Sequence, residues 1–274
     1  MPSKLGIVAG SGSLPRKVIE AARGQGRDCF VVGFPDQTDP ETLAAAPSML
    51  SRLGAAGAMV RRMKQEGVED LVLAGAIRRP TLAQLKPDWL AAKVMARASV
   101  RALGDDGLLR AVIREIEAQG FRVLAAQDVT GDLLMTAGLH GRNRPDGVAR
   151  KDIERGLEVA AALGRVDVGQ SVIVQQELVL GVEAIEGTDA LIARCAALAR
   201  PGPGGVLVKT MKPGQERRAD LPTVGPQTVV RAAEGGLRGI AVQAGAALLL
   251  DRAQAVAEAD RRGLFLLGVE PKDS

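Results

Sequence analysis

Short apolar runs that each give way to a polar turn and then to a helical pattern recur along this chain, and they constrain its fold more than any other feature. Residues 5–10 (Leu-Gly-Ile-Val-Ala-Gly), 29–34 and 70–76 read as strands. A helix with Pro15 in its first turn fills 15–24, and Met59, Val60 and Met63 mark another before the third strand. Strands of this kind separated by helices imply parallel βαβ units. A mainly helical stretch follows from Leu82 to Gln119, in which Leu108, Leu109, Val112, Ile113 and Ile116 make a stripe at helical spacing and Asp105 or Asp106 stands at the cap. A further strand is expected at 121–126.

Residues 138–150 are rich in glycine, proline and charge and lack any apolar period, so they read as a linker. The alternation resumes beyond them: a helix over 151–163, a strand run over 171–182, and a helix with Leu191, Ile192, Cys195 and Leu198 on one face. Strands follow at 205–210, 240–244 and 264–269, with a helix over 251–262 before the last. The expected architecture is two α/β domains in series. Residues 1–137 form a Rossmann-like parallel sheet and 151–274 a second α/β domain carrying the catalytic carboxylates, with a ligand cleft between them.

Length and composition narrow the function. A chain of 274 residues can bury two cores, and 46% hydrophobic against 25% charged residues is a globular balance. With no Tyr, one Trp and four Phe, the chain lacks the stacking platforms that single-stranded nucleic acids require, so no nucleic-acid partner is expected. A net charge of +4, spread among acidic residues, describes a solvated surface. Cys29 and Cys195 both lie in apolar runs and read as small buried hydrophobes of a reducing compartment. The first apolar run is too short for a secretory signal and no run reaches the ~20 residues of a membrane span, so a cytoplasmic protein is expected.

Two polar clusters carry the chemistry. Glu186-Gly187-Thr188-Asp189 and the segment 209–226 each follow an apolar run, which places them at strand ends where α/β folds hold ligands. Thr188 and Asp189 are also natural helix-capping residues. Lys209 closes the apolar run that starts at Gly205, where a lysine is costly unless it meets an anion or a cleft. Asp220 precedes Leu-Pro-Thr-Val-Gly-Pro, a proline-restrained loop able to fix its carboxylate. The loop Gly10-Ser11-Gly12-Ser13-Leu14-Pro15 opens a helix as a dinucleotide loop does, but its third glycine position is Pro15 and no acidic residue closes the second strand. It can still present amides to an anion, or be only a tight turn. His140, the only histidine, reads as a solvent-facing linker residue, and the scarcity of His and Cys excludes a zinc site.

Taken in order, Gly-Ser-Gly-Ser-Leu-Pro, Gly104-Asp105-Asp106-Gly107-Leu108-Leu109-Arg110, Glu183-Ala184-Ile185-Glu186-Gly187-Thr188-Asp189, the segment 209–225 and Ala259-Asp260-Arg261-Arg262-Gly263-Leu264-Phe265 resemble the LpxI-type UDP-2,3-diacylglucosamine pyrophosphatases of lipid A biosynthesis. The chain departs from that pattern at Glu216, where the family carries Asp, and at Ala219, where it carries an aromatic residue. The resemblance implies a Mg2+-dependent hydrolase, with Mn2+ as a substitute ion, that cleaves a UDP-linked lipid to UMP and lipid X. It would be cytoplasmic, with peripheral contact at the inner membrane and a homo-oligomeric state both compatible. On that footing Asp220, Glu186 and Lys209 are the catalytic candidates, and Asp220, Asp189 and Glu186 the metal ligands. Gly12, Leu14, Gly75, Thr188, Lys209 and Lys212 would contact the substrate. The alternative is a non-catalytic protein that binds nucleotide sugars or phospholipids with the same loops.

Overall fold

The computed structural model describes residues 2–78, 85–97 and 105–270. The expected helix start at Leu82, Gly104, and the capping side chains of Asp105 and Asp106 lie outside the described residues. The chain forms two compact units: residues 1–132 with 216–220, and residues 133–215 with 221–274.

In the first unit, β1 (Lys4–Ala9), β2 (Cys29–Gly33), β3 (Ser48–Leu50), β4 (Val68–Ala74) and β5 (Arg122–Leu124) form one sheet in the order β3-β2-β1-β4-β5, parallel throughout. The connections hold α1 (Leu14–Gly24), α2 (Pro40–Ala44), α3 (Ala56–Gln65), α4 (Trp89–Arg97), α5 (Asp105–Ala118) and, after β5, α6 (Ala126–Thr130). Strand periodicity sends alternate residues to opposite faces, and both faces are covered. Leu5, Ile7, Val31 and Val72 pack with Val18 and Ile19 of α1 and Val129 of α6, whereas Phe30, Val32 and Leu71 pack with Met63 of α3 and with Phe121. This is the Rossmann-like sheet expected from sequence. Its strand order reverses between β1 and β4, where open α/β sheets place ligands.

Asp70 lies buried within β4. It accepts hydrogen bonds from Ser3 Oγ (2.7 Å), Arg27 Nη2 (2.5 Å), and Arg122 Nε and Nη2 (2.7 and 2.9 Å). Burial alone pushes this carboxyl upward, but the bonds from Arg122, Ser3 and Arg27 outweigh it and bring its pKa to about 2. A depressed folded pKa gives stability that is present above the unfolded value near 4 and is lost as pH falls toward 2. Urea unfolding of Asp70→Asn should therefore show a loss on the order of 2 kcal/mol at pH 7, shrinking between about pH 4 and pH 2. An equal loss at both pH values would remove the charge from the explanation.

The second unit holds β6 (Gly138–His140), β7 (Ser171–Gln175), β8 (Leu178–Val182), β9 (Val206–Lys209), β11 (Gly239–Gln243) and β13 (Phe265–Val269) in the order β6-β13-β11-β9-β7-β8. The central β13, β11 and β9 are parallel, while β6, β7 and β8 join antiparallel. A short parallel pair, β10 (Thr223–Val224) with β12 (Leu248–Leu249), stands apart. α8 (Thr188–Ala196), α9 (Pro226–Glu234) and α10 (Arg252–Arg262) cover one face through Leu191, Val229 and Ala255, and α7 (Gly147–Arg165) covers the other through Ala149 and Ile153.

Three expectations are corrected here. Residues 138–150 are not a linker but part of the second unit: Gly138–His140 is the edge strand β6 on β13, and Asp146 caps α7 by accepting from Ala149 N at 2.9 Å. An edge strand this short carries too little apolar period to show in sequence. The run 171–182 is a hairpin rather than one strand. Its turn residues Gln176 and Glu177 both take positive φ (56° and 63°) without glycine, and the buried Asp152 accepts from Glu177 N at 2.6 Å. The last helix of the chain starts at Arg252, after Asp251 in the left-handed region (φ 47°).

α7 lies close on the sheet because Gly156 faces β9, and a Cβ there would stand 2.4 Å from Val208 Cγ2. Alanine in a helix normally gains up to ~1 kcal/mol over glycine. At this site Gly156→Ala should instead destabilise by about 1–3 kcal/mol in urea unfolding, and Val208→Ala in the same chain should restore part of the loss. A stabilised single variant would contradict the packing argument.

Candidate active site

Lys209 ends β9 in the second unit and is 6% exposed. Its Nζ donates to Thr188 Oγ1 at 2.9 Å and to the Thr223 carbonyl at 3.2 Å. Thr188 is the first residue of α8, entered through Gly187 at φ 82°, so the glycine turn aims the hydroxyl back across the sheet end. The same hydroxyl donates to Glu183 Oε1 at 2.7 Å, and Ser171 Oγ, at the register position opposite Lys209, lies 3.4 Å from it. Glu183 is 7% exposed, its N–H paired to the Ser171 carbonyl at 2.8 Å. Lys209 is linked to the Glu183 carboxylate through the Thr188 hydroxyl, and Glu183 is not among the carboxylates expected from the sequence.

Glu186 has other engagements. Its Oε1 accepts from Arg194 Nε and Nη2 (3.2 and 2.9 Å), and its Oε2 from Ala184 N (3.1 Å). Its own backbone N–H and then Arg194 hold its carboxyl below the usual range. Asp189 is exposed in the first turn of α8, where its charge complements the helix dipole. Lys212 Nζ donates to Asp167 Oδ1 at 2.5 Å, and its backbone N–H is taken by Gln215 Oε1 at 2.9 Å.

Asp220 belongs to the first unit, on the turn 216–220, whose Asp220 N–H returns to the Glu216 carbonyl at 3.1 Å. Arg218 anchors that turn through Glu216 (2.8 and 2.9 Å) and through Glu117 of α5 (2.6 Å). Glu216 thus pairs with Arg218. Gathering of three or more His, Cys, Asp or Glu side chains fit to hold a metal ion is absent among the described residues.

At the β1–β4 switch of the first unit, the loop 10–13 bonds the turn after β4: Ser11 and Ala76 exchange backbone hydrogen bonds of 2.9 and 3.1 Å. Glycine is required on both sides. A Cβ on Gly10 would stand 2.3 Å from the Ala76 carbonyl oxygen, and Gly75 takes φ 87°. Gly12 N–H donates to Asp39 Oδ2 at 2.9 Å, so a carboxylate of the chain itself meets this amide. Leu14 starts α1 and packs partly against the core.

His140 is not a solvent-facing loop residue. It sits half-buried in β6, where Nε2 reaches the Thr136 carbonyl (3.0 Å) and Nδ1 faces Arg252 Nη1 (3.2 Å). A carbonyl only accepts and a guanidinium only donates, which assigns the proton to Nε2. Burial raises the pKa of both Cys29 and Cys195, in keeping with inert thiols. No helix among the described residues is long and apolar enough to cross a membrane.

Comparison with known proteins places these features in one family. The model of the LpxI N-terminal domain matches residues 4–133 and that of the LpxI C-terminal domain residues 136–267. The UDP-2,3-diacylglucosamine pyrophosphatase LpxI of Caulobacter vibrioides is 40% identical over 277 residues, which is 98% of this chain and 99% of that protein. Among solved structures, the Bordetella bronchiseptica enzyme WbmG with NAD and UDP aligns at TM-score 0.28 and 19% identity, covering 43% of this chain and 34% of that one. The precorrin-6A reductase CobK aligns at 0.26 and 12%, covering 99% and 89%. At those scores neither carries an argument about this chain. With both domain models matched in order and the identity sustained over nearly its whole length, the chain belongs to the LpxI family.

Proposed function

We propose that this protein hydrolyses the pyrophosphate bond of UDP-2,3-diacylglucosamine, releasing UMP and 2,3-diacylglucosamine 1-phosphate (lipid X) for lipid A synthesis. The observation that carries the reading is the 40% identity, over 98% of the chain, to a protein named for that activity. The buried Lys209 ammonium at the end of β9 supports it, because phosphoanhydride cleavage calls for a fixed cation where charge develops on phosphoryl oxygens.

In this mechanism a water oxygen attacks the sugar-side phosphorus. The bond from that phosphorus to the bridging oxygen breaks, the bridging oxygen leaves on UMP, and the water proton passes to the Asp220 carboxylate. Lys209 meets the phosphoryl oxygens and Thr188 orients Lys209. Gly12, Leu14, Gly75 and Lys212, whose ammonium pairs with Asp167 in the structure, are assigned to substrate contacts. Mg2+, replaceable by Mn2+, is proposed as cofactor, and when bound it neutralises diphosphate oxygens. The described carboxylates form no three-ligand cage, so no step is derived through the ion. Asp220, Asp189 and Glu186 are the carboxylates that would hold the ion, one or two being enough where a substrate's phosphate oxygens would complete its shell. We place the reaction in the cytoplasm at the inner face of the membrane that supplies the lipid.

The test uses purified protein with UDP-2,3-diacylglucosamine in detergent micelles and water enriched in 18O. UMP should appear, the label should enter lipid X, and chelator should stop turnover until Mg2+ or Mn2+ is restored. Asp220→Asn should lose on the order of 10²–10⁴ in kcat while melting within a few degrees of the unsubstituted protein. Lipid binding without UMP release would assign the non-catalytic alternative. Label in UMP would reverse the direction of attack, and full turnover in chelator would remove the metal.

A further inference from the structure

We infer that Glu183 is a positioning residue of this site, acting through the Thr188 hydroxyl on the Lys209 ammonium; the inference rests on the proposed diphosphate chemistry. Two opposite charges are buried here, Glu183 at 7% and Lys209 at 6% exposure, and one hydroxyl lies between them. Taking either charge out of water is costly unless hydrogen bonds compensate. The hydroxyl has a single proton. Ammonium only donates and carboxylate only accepts, so the order runs Lys209 Nζ–H to Thr188 Oγ1 (2.9 Å) and Thr188 O–H to Glu183 Oε1 (2.7 Å). Glu183 Oε2 takes a much longer bond, 3.4 Å from Gln170 N, so the short, charge-assisted contact is the one to Thr188.

The three groups come from different elements, which makes the chain a spatial device rather than a local cap. Glu183 follows β8 and is fixed by its backbone bond to Ser171, Thr188 opens α8 and Lys209 ends β9. A flexible four-carbon stem carries the Lys209 charge, and such a group positions a phosphoryl oxygen only when its rotamer is locked. The hydroxyl locks it, and the carboxylate locks the hydroxyl. Placing the hydroxyl between the charges keeps the carboxylate one group removed from the anion that the ammonium is to meet. Glu183 touches no reacting atom in this account. Its influence passes through Thr188.

Four variants decide this: Glu183→Gln, Thr188→Val, the two combined, and Thr188→Ser. Outer-shell partners that orient metal ligands typically cost 10–100-fold when removed, and a partner that orients an ammonium is expected to act on the same scale. Glu183→Gln and Thr188→Val should each lower kcat/KM by roughly that factor, and the double variant should lose no more than the worse single one, because both cut one chain. Thr188→Ser, which keeps the hydroxyl, should recover most of the loss. Calorimetry with inorganic pyrophosphate gives a second readout that does not depend on hydrolysis. Affinity should fall about tenfold in Glu183→Gln and Thr188→Val alike and recover in Thr188→Ser. Losses that add, affinity unchanged in Glu183→Gln, no rescue by serine, or no pyrophosphate binding by the unsubstituted protein would each overturn the inference. A purely structural glutamate would lower Tm while leaving turnover and pyrophosphate affinity per folded molecule intact. Failure of the unsubstituted protein to release UMP, with the pyrophosphate pattern present, would sink the hydrolase reading and leave Glu183 in its role.

Discussion

Burial of the Lys209 ammonium is the constraint around which the strand ends of the second unit are arranged. An ammonium at 6% exposure needs oxygen acceptors in place of water, and those acceptors include the Thr188 hydroxyl at the head of α8 and the Thr223 carbonyl in β10, each set by a different element. Gly187 turns α8 so that Thr188 faces the strand end, and the pairing of β10 with β12 fixes Thr223. Moving any one of these elements would disturb an acceptor of a desolvated charge. The arrangement is therefore rigid for electrostatic reasons as much as for packing.

The first unit meets a comparable demand by backbone approach. Gly10 and Gly75 let the turns after β1 and β4 exchange hydrogen bonds where side chains would collide, and this closes the switch point of the sheet into a fixed rim. Asp39 then occupies the Gly12 amide, the same donor that dinucleotide-binding loops direct at a pyrophosphate. The physical consequence is a loop suited to polar but uncharged groups near Gly12, since a second anion there would face the Asp39 carboxylate.

Much of this was legible in the residues, and the exceptions have identifiable causes. Continuous apolar runs gave away the parallel strands, because both faces of each sheet are covered, and Lys209 stood out as a lysine closing such a run. Glu183 did not stand out. It follows the half-exposed edge strand β8, and only the pairing with Ser171 carries it inward, although its five-residue spacing from Thr188 across a glycine turn was a usable signal. The hairpin turn at Gln176 and Glu177 was hidden because neither residue advertises positive φ, and the stabilising Asp152 lies 25 residues upstream of Glu177. Glu186 drew notice as a carboxylate at a strand end, whereas its bond with Arg194 depends on helical spacing and the geometry of the turn.

The turn 216–220 has an implication for how this family can evolve. It lies in the second half of the chain yet counts with the first unit, where Arg218 pairs with Glu117 across 101 positions of sequence. Domain models that end at 133 and begin again at 136 suggest a natural crossover point for recombination between relatives. A chimera joined there would inherit Glu117 from one parent and the Arg218 turn, with Asp220 on it, from the other. Unless both parents carry compatible residues at 117 and 218, such a chimera would lose the ion pair that anchors the turn bearing Asp220, and so disturb the carboxylate assigned to the chemistry while leaving the packed cores as they were.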